Sequence, residues 1–212
     1  MKKAQMMLLA VGTGLFLMSC GGAAEEKGAG SDDAIAEESN SESVSTTYTI
    51  DPAASTLTWK GSMMGMYDHS GTLAITSGTI TVTDGDITGG NLEVDMTSIT
   101  PTDDNYPEDK PKEKLVGHLS SADFFNVEEH PTATVEITSN SGTGMVDLTV
   151  RGITNSEEMS DLKFDEYEGN FDGKGVLTFD RTKYEVSFEH PMEDMVISND
   201  VELTIILSGK AN

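Results

Sequence analysis

The chain is 212 residues long, enough for one domain and a fraction of another. It carries 13 Lys and Arg against 37 Asp and Glu, a formal net charge of −24, with a sequence pI near 4.2. That balance excludes nucleic acid as a partner and disfavours docking on anionic membranes, because a surface of this sign repels phosphate. A single Cys excludes an intrachain disulfide and a multi-cysteine zinc site. Hydrophobic residues make up 36% and aromatics 6%, too few to fill a dense core of this length, so either part of the chain is unfolded or the fold is hollow.

Met1-Lys2-Lys3 precedes an apolar run from Met6 to Met18 that only small residues and Thr13 interrupt. A charged start and a run too short to span a bilayer read as a secretory signal, residues 1–19, rather than a transmembrane anchor. The run ends Leu17-Met18-Ser19-Cys20-Gly21, which resembles the lipobox of bacterial lipoproteins. The resemblance implies cleavage before Cys20 and diacylglyceryl attachment to its sulfur. Two or three acyl chains would then give stable membrane anchoring. Cleavage also removes Lys2 and Lys3 and no acid, so the mature chain is more acidic still.

Residues 20–47 are, after Cys20, Gly, Ala, Ser, Thr, Asn, acids and one Lys, with Ile35 and Val44 the larger apolar exceptions. Such a segment cannot bury enough surface to offset its ordering entropy and reads as an acidic, extended tether. From Tyr48 to residue 212 the texture changes to short alternating runs. Leu57 and Trp59, Ile80 and Val82, and Leu92, Val94 and Met96 alternate with polar residues. So do Ala133, Val135 and Ile137, then Val146, Leu148 and Val150, and finally Val201, Leu203 and Ile205. A period of two places each apolar set on one face of a strand. Ser77-Gly78, Asp84-Gly85-Asp86, Gly89-Gly90, Ser141-Gly142 and Asp172-Gly173 read as turns between strands. The exception is residues 102–121, where Leu115, Val116 and Leu119 at helical spacing predict a short helix over the rim of a sheet. The fold class is all-β and antiparallel. One apolar face per strand and few aromatics favour a barrel over a sandwich.

Several segments in chain order resemble the YceI-like family of lipid- and polyisoprenoid-binding domains. They are Tyr48-Thr49-Ile50-Asp51-Pro52 with Ser55, then Gly71 and Gly78, then Val94-Asp95-Met96-Thr97-Ser98-Ile99. His118-Leu119-Ser120-Ser121-Ala122-Asp123-Phe124-Phe125-Asn126-Val127 with Pro131 follows, and then Leu148-Thr149-Val150-Arg151-Gly152-Ile153-Thr154. Asp180-Arg181-Thr182-Lys183-Tyr184 and Val201-Glu202-Leu203-Thr204-Ile205 complete the series. The resemblance implies a lipocalin-like, extended, eight-stranded antiparallel barrel that binds, carries or stores a polyisoprenoid or related long-chain amphipathic lipid. With the lipobox it implies an exported, lipid-anchored protein of the cell envelope. One departure is Lys60-Gly61-Ser62-Met63-Met64-Gly65-Met66, where the family often has a basic or His-bearing strand; it bears on the lining near the mouth.

An apolar tunnel needs surface rather than catalytic groups. Met63, Met64 and Met66 have flexible, polarisable side chains suited to a ligand of variable shape, or to ordinary core or loop. Phe124 and Phe125 follow the rim segment as adjacent residues of a strand, which face opposite ways, so at most one lines the tunnel and the other seals against the helix; core packing is the stronger reading for either. Trp59 is internal, and Val135 and Phe179 are further candidates for the lining. Arg151, at the end of an apolar strand, either holds a head group with its fork of donors or pairs with one of the many acids. Arg181, beside Asp180, has the same two readings, with the structural one stronger. His69, His118, His130 and His190 show no metal-ligand spacing. Asp103, Asp104, Asn105, Glu108 and Asp109 lack the EF-hand pattern and read as a solvated acidic loop. No nucleophile elbow, phosphate-cradling loop or triad signature occurs, so neither enzyme chemistry nor a cofactor is indicated. The rival readings are an enzyme acting on such a lipid and a structural surface or stress-response lipoprotein with a filled barrel.

Overall fold

The computed structural model describes residues 43–63, 67–109, 111–138, 144–188 and 196–212. Cys20, Met64, Met66 and the Ser141-Gly142 turn lie outside the described residues. In chain order the elements are β1 (Ser45–Ile50), β2 (Thr56–Met63), β3 (Tyr67–Thr83), β4 (Asp86–Pro101), α1 (Lys112–Ser120), β5 (Thr132–Ile137), β6 (Met145–Val150), β7 (Ile153–Tyr167), β8 (Asn170–Asp180), a 3₁₀ turn (Arg181–Tyr184) and β9 (Ile197–Ala211).

The nine strands form one antiparallel sheet in the order β1-β3-β2-β9-β8-β7-β6-β5-β4, and the β3–β4 pairing closes it into the expected barrel. β1 adds no ninth stave. It pairs with the end of β3 (Thr49↔Thr79) and of β9 (Ile50↔Gly209), while β2 pairs with the start of β3 (Met63↔Tyr67) and the earlier part of β9 (Thr56↔Ile206). The two short strands therefore run in one line, interrupted at residues 51–55. Eight positions circle the barrel.

Closure leaves each strand one face turned inward, and the apolar alternation supplies it. β6 buries Val146, Leu148 and Val150, and β9 buries Val201, Leu203, Ile205 and Leu207. Three hairpins use two-residue turns with both φ angles positive: Asp84-Gly85, Arg151-Gly152 and Glu168-Gly169. That is the geometry whose twist matches the flanking strands. In β7 the register shifts between Ser160 and Lys163, and Asp161 has a φ of 51°. The bulge changes which residues face the interior, so Met159 before it and Phe164 after it both pack on the core.

Three of the expected turns lie inside strands. Ser77-Gly78 is in β3, Gly89-Gly90 in β4 and Asp172-Gly173 in β8. Here glycine marks close approach rather than reversal. A Cβ at Gly90, whose φ is 152°, would stand 2.4 Å from the Thr79 carbonyl oxygen, whereas one at Gly89 would meet nothing within 4 Å. Gly90→Ala is therefore expected to lower stability by about 1–3 kcal/mol and Gly89→Ala by less than about 1 kcal/mol. Thermal unfolding of the two variants measures the difference, and equal losses would restore the turn reading.

Candidate functional site

The predicted rim helix is present as α1, Lys112–Ser120, at the end of the barrel that also carries the β6–β7 turn and the 3₁₀ turn. After α1 the chain folds back on itself. The Phe125 N–H donates to Leu119 O and the Asn126 N–H to Ser121 O, at 3.0 and 2.8 Å. This turn, not a strand, carries Phe124 and Phe125, so strand alternation does not separate them. Their rings meet at 4.8 Å and 80°, and both reach the barrel interior.

Below them lies an apolar cavity of about 840 Å³, solvent-open space at its mouth included. Its wall is built from inward positions of the strands, among them Leu57 and Trp59 of β2, Val94 and Met96 of β4, and Leu148 of β6. Hydrocarbon surface is what the wall offers.

Of the residues singled out in the sequence, Trp59, Phe124, Phe125, Val135 and Phe179 stand together on this wall. Trp59 is 8% exposed, and its indole lies over Gly71, where a Cβ would meet the ring at 2.6 Å. The indole N–H has no acceptor among the described residues. Met63, half-buried at the end of β2, is not part of the wall. Arg151 is also outside it. As the first residue of the β6–β7 turn it has a φ of 53°, and its guanidinium donates to the backbone carbonyls of Ala122 (3.1 Å) and Phe124. It ties the Phe124 turn to the barrel end.

The charged group in the wall is Arg181, 3% exposed. Its Nε donates to Ser198 O at 3.0 Å, its other nitrogens reach Val186 O and Asn199 Oδ1, and the Phe124 ring lies 5.7 Å away. Asp180 instead accepts from the Thr182 N–H and hydroxyl and starts the 3₁₀ turn. The inward placement of Arg181 follows from the chain turning at the end of β8, for which the sequence carries no periodic signal. A second polar cluster joins that turn to β7. Glu157, 8% exposed, accepts from Lys183 Nζ at 3.2 Å and from the Tyr184 hydroxyl at 3.1 Å. Burial first, then the Glu157 carboxylate, pushes the Tyr184 phenol up. Neither Glu157 nor Tyr184 lines the cavity.

The family model for the YceI-like domain matches residues 48–208. The chain belongs to the YceI-like domain family. No curated protein matches it. Among solved structures, BcnA of Burkholderia cenocepacia is similar with a TM-score of 0.61 at 14% identity, over 75% of this chain and 98% of that one. A polyisoprenoid binding domain from Saccharophagus degradans, implicated in plant cell wall breakdown, is similar with a TM-score of 0.57 at 16% identity, over 78% of this chain and 98% of that one. At these identities the likeness carries the fold. Among the described residues of this YceI-like domain, no group of His, Cys, Asp and Glu is placed to hold a metal ion.

Asp103, from the acidic segment before α1, is not part of a solvated loop but a latch at the β3 side of the same rim, its side chain 11% exposed. Its carboxylate accepts from the Ser70 N–H (3.0 Å), the Tyr106 hydroxyl (2.8 Å) and the Asn105 N–H (3.0 Å), and lies 3.1 Å from His69 Nδ1. His69 stacks on Tyr106 at 4.7 Å. Burial alone raises the Asp103 carboxyl, but these hydrogen bonds outweigh it and hold it at about 2, against an ordinary 3.8. A carboxylate depressed in the folded state stabilises the fold above its unfolded value, and that contribution fades as pH falls through the folded one. The melting temperature is expected to fall across the window from 3.8 to about 2. Asp103→Asn should melt lower at neutral pH and lose less across that window; an unchanged acid slope would remove Asp103 from the latch.

Proposed function

We propose that this YceI-like barrel binds a polyisoprenoid or related long-chain amphipathic lipid, for carriage or storage, and performs no chemistry on it. The observation that carries this reading is the apolar cavity beneath Phe124 and Phe125. Each 100 Å² of chain taken out of water into such a wall contributes about 2.5 kcal/mol before the costs of association. Family membership and the likeness to the Saccharophagus degradans polyisoprenoid binding domain support the same ligand class. The polar end of the lipid belongs at the solvent end of the cavity, since the wall offers hydrocarbon and the Arg181 guanidinium beside it is taken up by Ser198 O, Val186 O and Asn199 Oδ1. Glu157 and Tyr184, which a catalytic reading would recruit, are engaged with each other away from the cavity.

The N-terminal segment supports the location. Cleavage before Cys20 and lipidation of its sulfur would hold the barrel at the cell envelope on the acidic segment ahead of β1, which is shorter than a 20–47 tether because residues 45–47 pair with β3, at the outer membrane or cell surface.

Organic extraction of the native protein followed by mass spectrometry is expected to release an intact prenyl or similar lipid. Adding solanesol to the delipidated protein should shift Trp59 fluorescence to saturation, with no shift in Trp59→Phe. It should also raise thermal stability, by about 2.7 kcal/mol at a hundredfold excess over Kd. A chemically altered lipid would mark an enzyme. Absence of any lipid together with no saturable shift would mark a barrel filled by its own side chains.

A further inference from the structure

A second apolar cavity, of about 480 Å³, lies in the opposite half of the barrel. Its wall takes up the inward positions where the first wall leaves off. On β9, Leu203 borders the first cavity and Ile205 the second; on β4, Val94 borders the first and Leu92 the second. Consecutive inward positions of a strand are about 7 Å apart, so one layer of side chains separates the two spaces. At β8 that layer is filled. Leu177, 0% exposed and registered with Met159 on β7 and Leu203 on β9, borders neither cavity.

The layer is thinnest at β5. Ala133 faces the first cavity and Ile137 the second, while Val135 between them borders both, alone among the described residues of the two walls. Val135 is registered with Leu92 on β4, which borders the second cavity, and with Leu148 on β6, which borders the first. The row Leu92–Val135–Leu148 therefore crosses from one cavity to the other, and its middle member is the smallest side chain of the three.

Resting on the lipid-binding reading above, we infer that Val135 sets the length of chain the barrel accepts. A short prenyl chain is housed within the first cavity. A longer one passes Val135 and continues into the second, against Phe171, Leu207 and the bulge residues Met159 and Leu162. Met159 is suited to yielding there, because its unbranched thioether side chain adapts to what it meets. Its methyl rests against Gly175, where a Cβ would meet it at 2.3 Å.

The test is a titration of the delipidated full-length protein with farnesol and with solanesol, read by Trp59 fluorescence, in wild type, Val135→Phe and Val135→Leu. Wild type is expected to bind solanesol at least tenfold more tightly than farnesol. Val135→Phe should weaken solanesol binding at least tenfold more than farnesol binding and so abolish the solanesol advantage. Val135→Leu, which adds a single carbon and is the gentler change to the core, should reduce that advantage at least threefold. A folded variant that keeps the wild-type ratio, or a wild type that binds the two alcohols equally, overturns the role of Val135 and leaves the carrier reading intact. A wild type that binds neither overturns the carrier reading, and this inference with it.

Discussion

Closure of the sheet is the constraint from which the other features follow. When β4 bonds to β3, the backbone ladder fixes the circumference of the barrel whatever side chains point inward. The interior must then be filled by what the strands happen to carry. Here they carry mostly Val, Leu and Ile, with Trp59, Phe171 and Phe179 as the aromatic exceptions on the strands around the cavities. Those side chains fill the layer at Leu177 and leave space at either end. The hollow is a consequence of strand number meeting side-chain volume rather than of a dedicated binding motif.

The division of polar groups is consistent with that arrangement. Charged side chains that enter the protein are spent on seams: Arg151 holds the Phe124 turn, Glu157 holds the 3₁₀ turn through Lys183 and Tyr184, and Asp103 holds the segment before α1 against β3. These are the places where the chain leaves the sheet and its backbone loses ladder partners, so side chains must take over. Arg181 does the same for the turn after β8 while also bordering the cavity, because that turn lies at the cavity end of the barrel. An arginine next to an acidic residue in a chain this acidic reads from sequence as half of an ion pair. Asp180 spends its carboxylate on the Thr182 N–H and hydroxyl as a local cap, while Lys183 and Arg181 beside it also favour its charged form.

The barrel class was legible because six of the strands advertise themselves by strict alternation. β7 and β8 do not. The inward positions of β7 include Asn155 and Glu157, and those of β8 include Gly173 and Gly175, so neither strand reads as an apolar stripe. The bulge at Asp161 adds a parity change that no fixed period can follow. Gly78, Gly90 and Gly173 read as turns because glycine is usually punctuation, whereas each stands where another strand or a ring comes too near for a Cβ. The cavity wall was legible only in part. Trp59, Val135 and Phe179 were readable as inward, but whether an inward residue bounds a space or fills one depends on neighbours four or five strands away. Phe124 and Phe125 were placed at the right end and on the wrong kind of backbone, which is why both, rather than one, reach the interior.

A cavity roofed by a turn has a different physical character from one bounded by strands. The walls are held by ladders that must break together, while the roof at Phe124 and Phe125 rests on a short helix, a few turn hydrogen bonds and the Arg151 guanidinium. Local opening free energy follows that difference, being lowest where the fewest cooperative contacts must be given up. The roof is therefore the part of this cavity's boundary that opens most readily, while the strands beneath supply most of its apolar area; the two properties rest on different residues and can be altered separately.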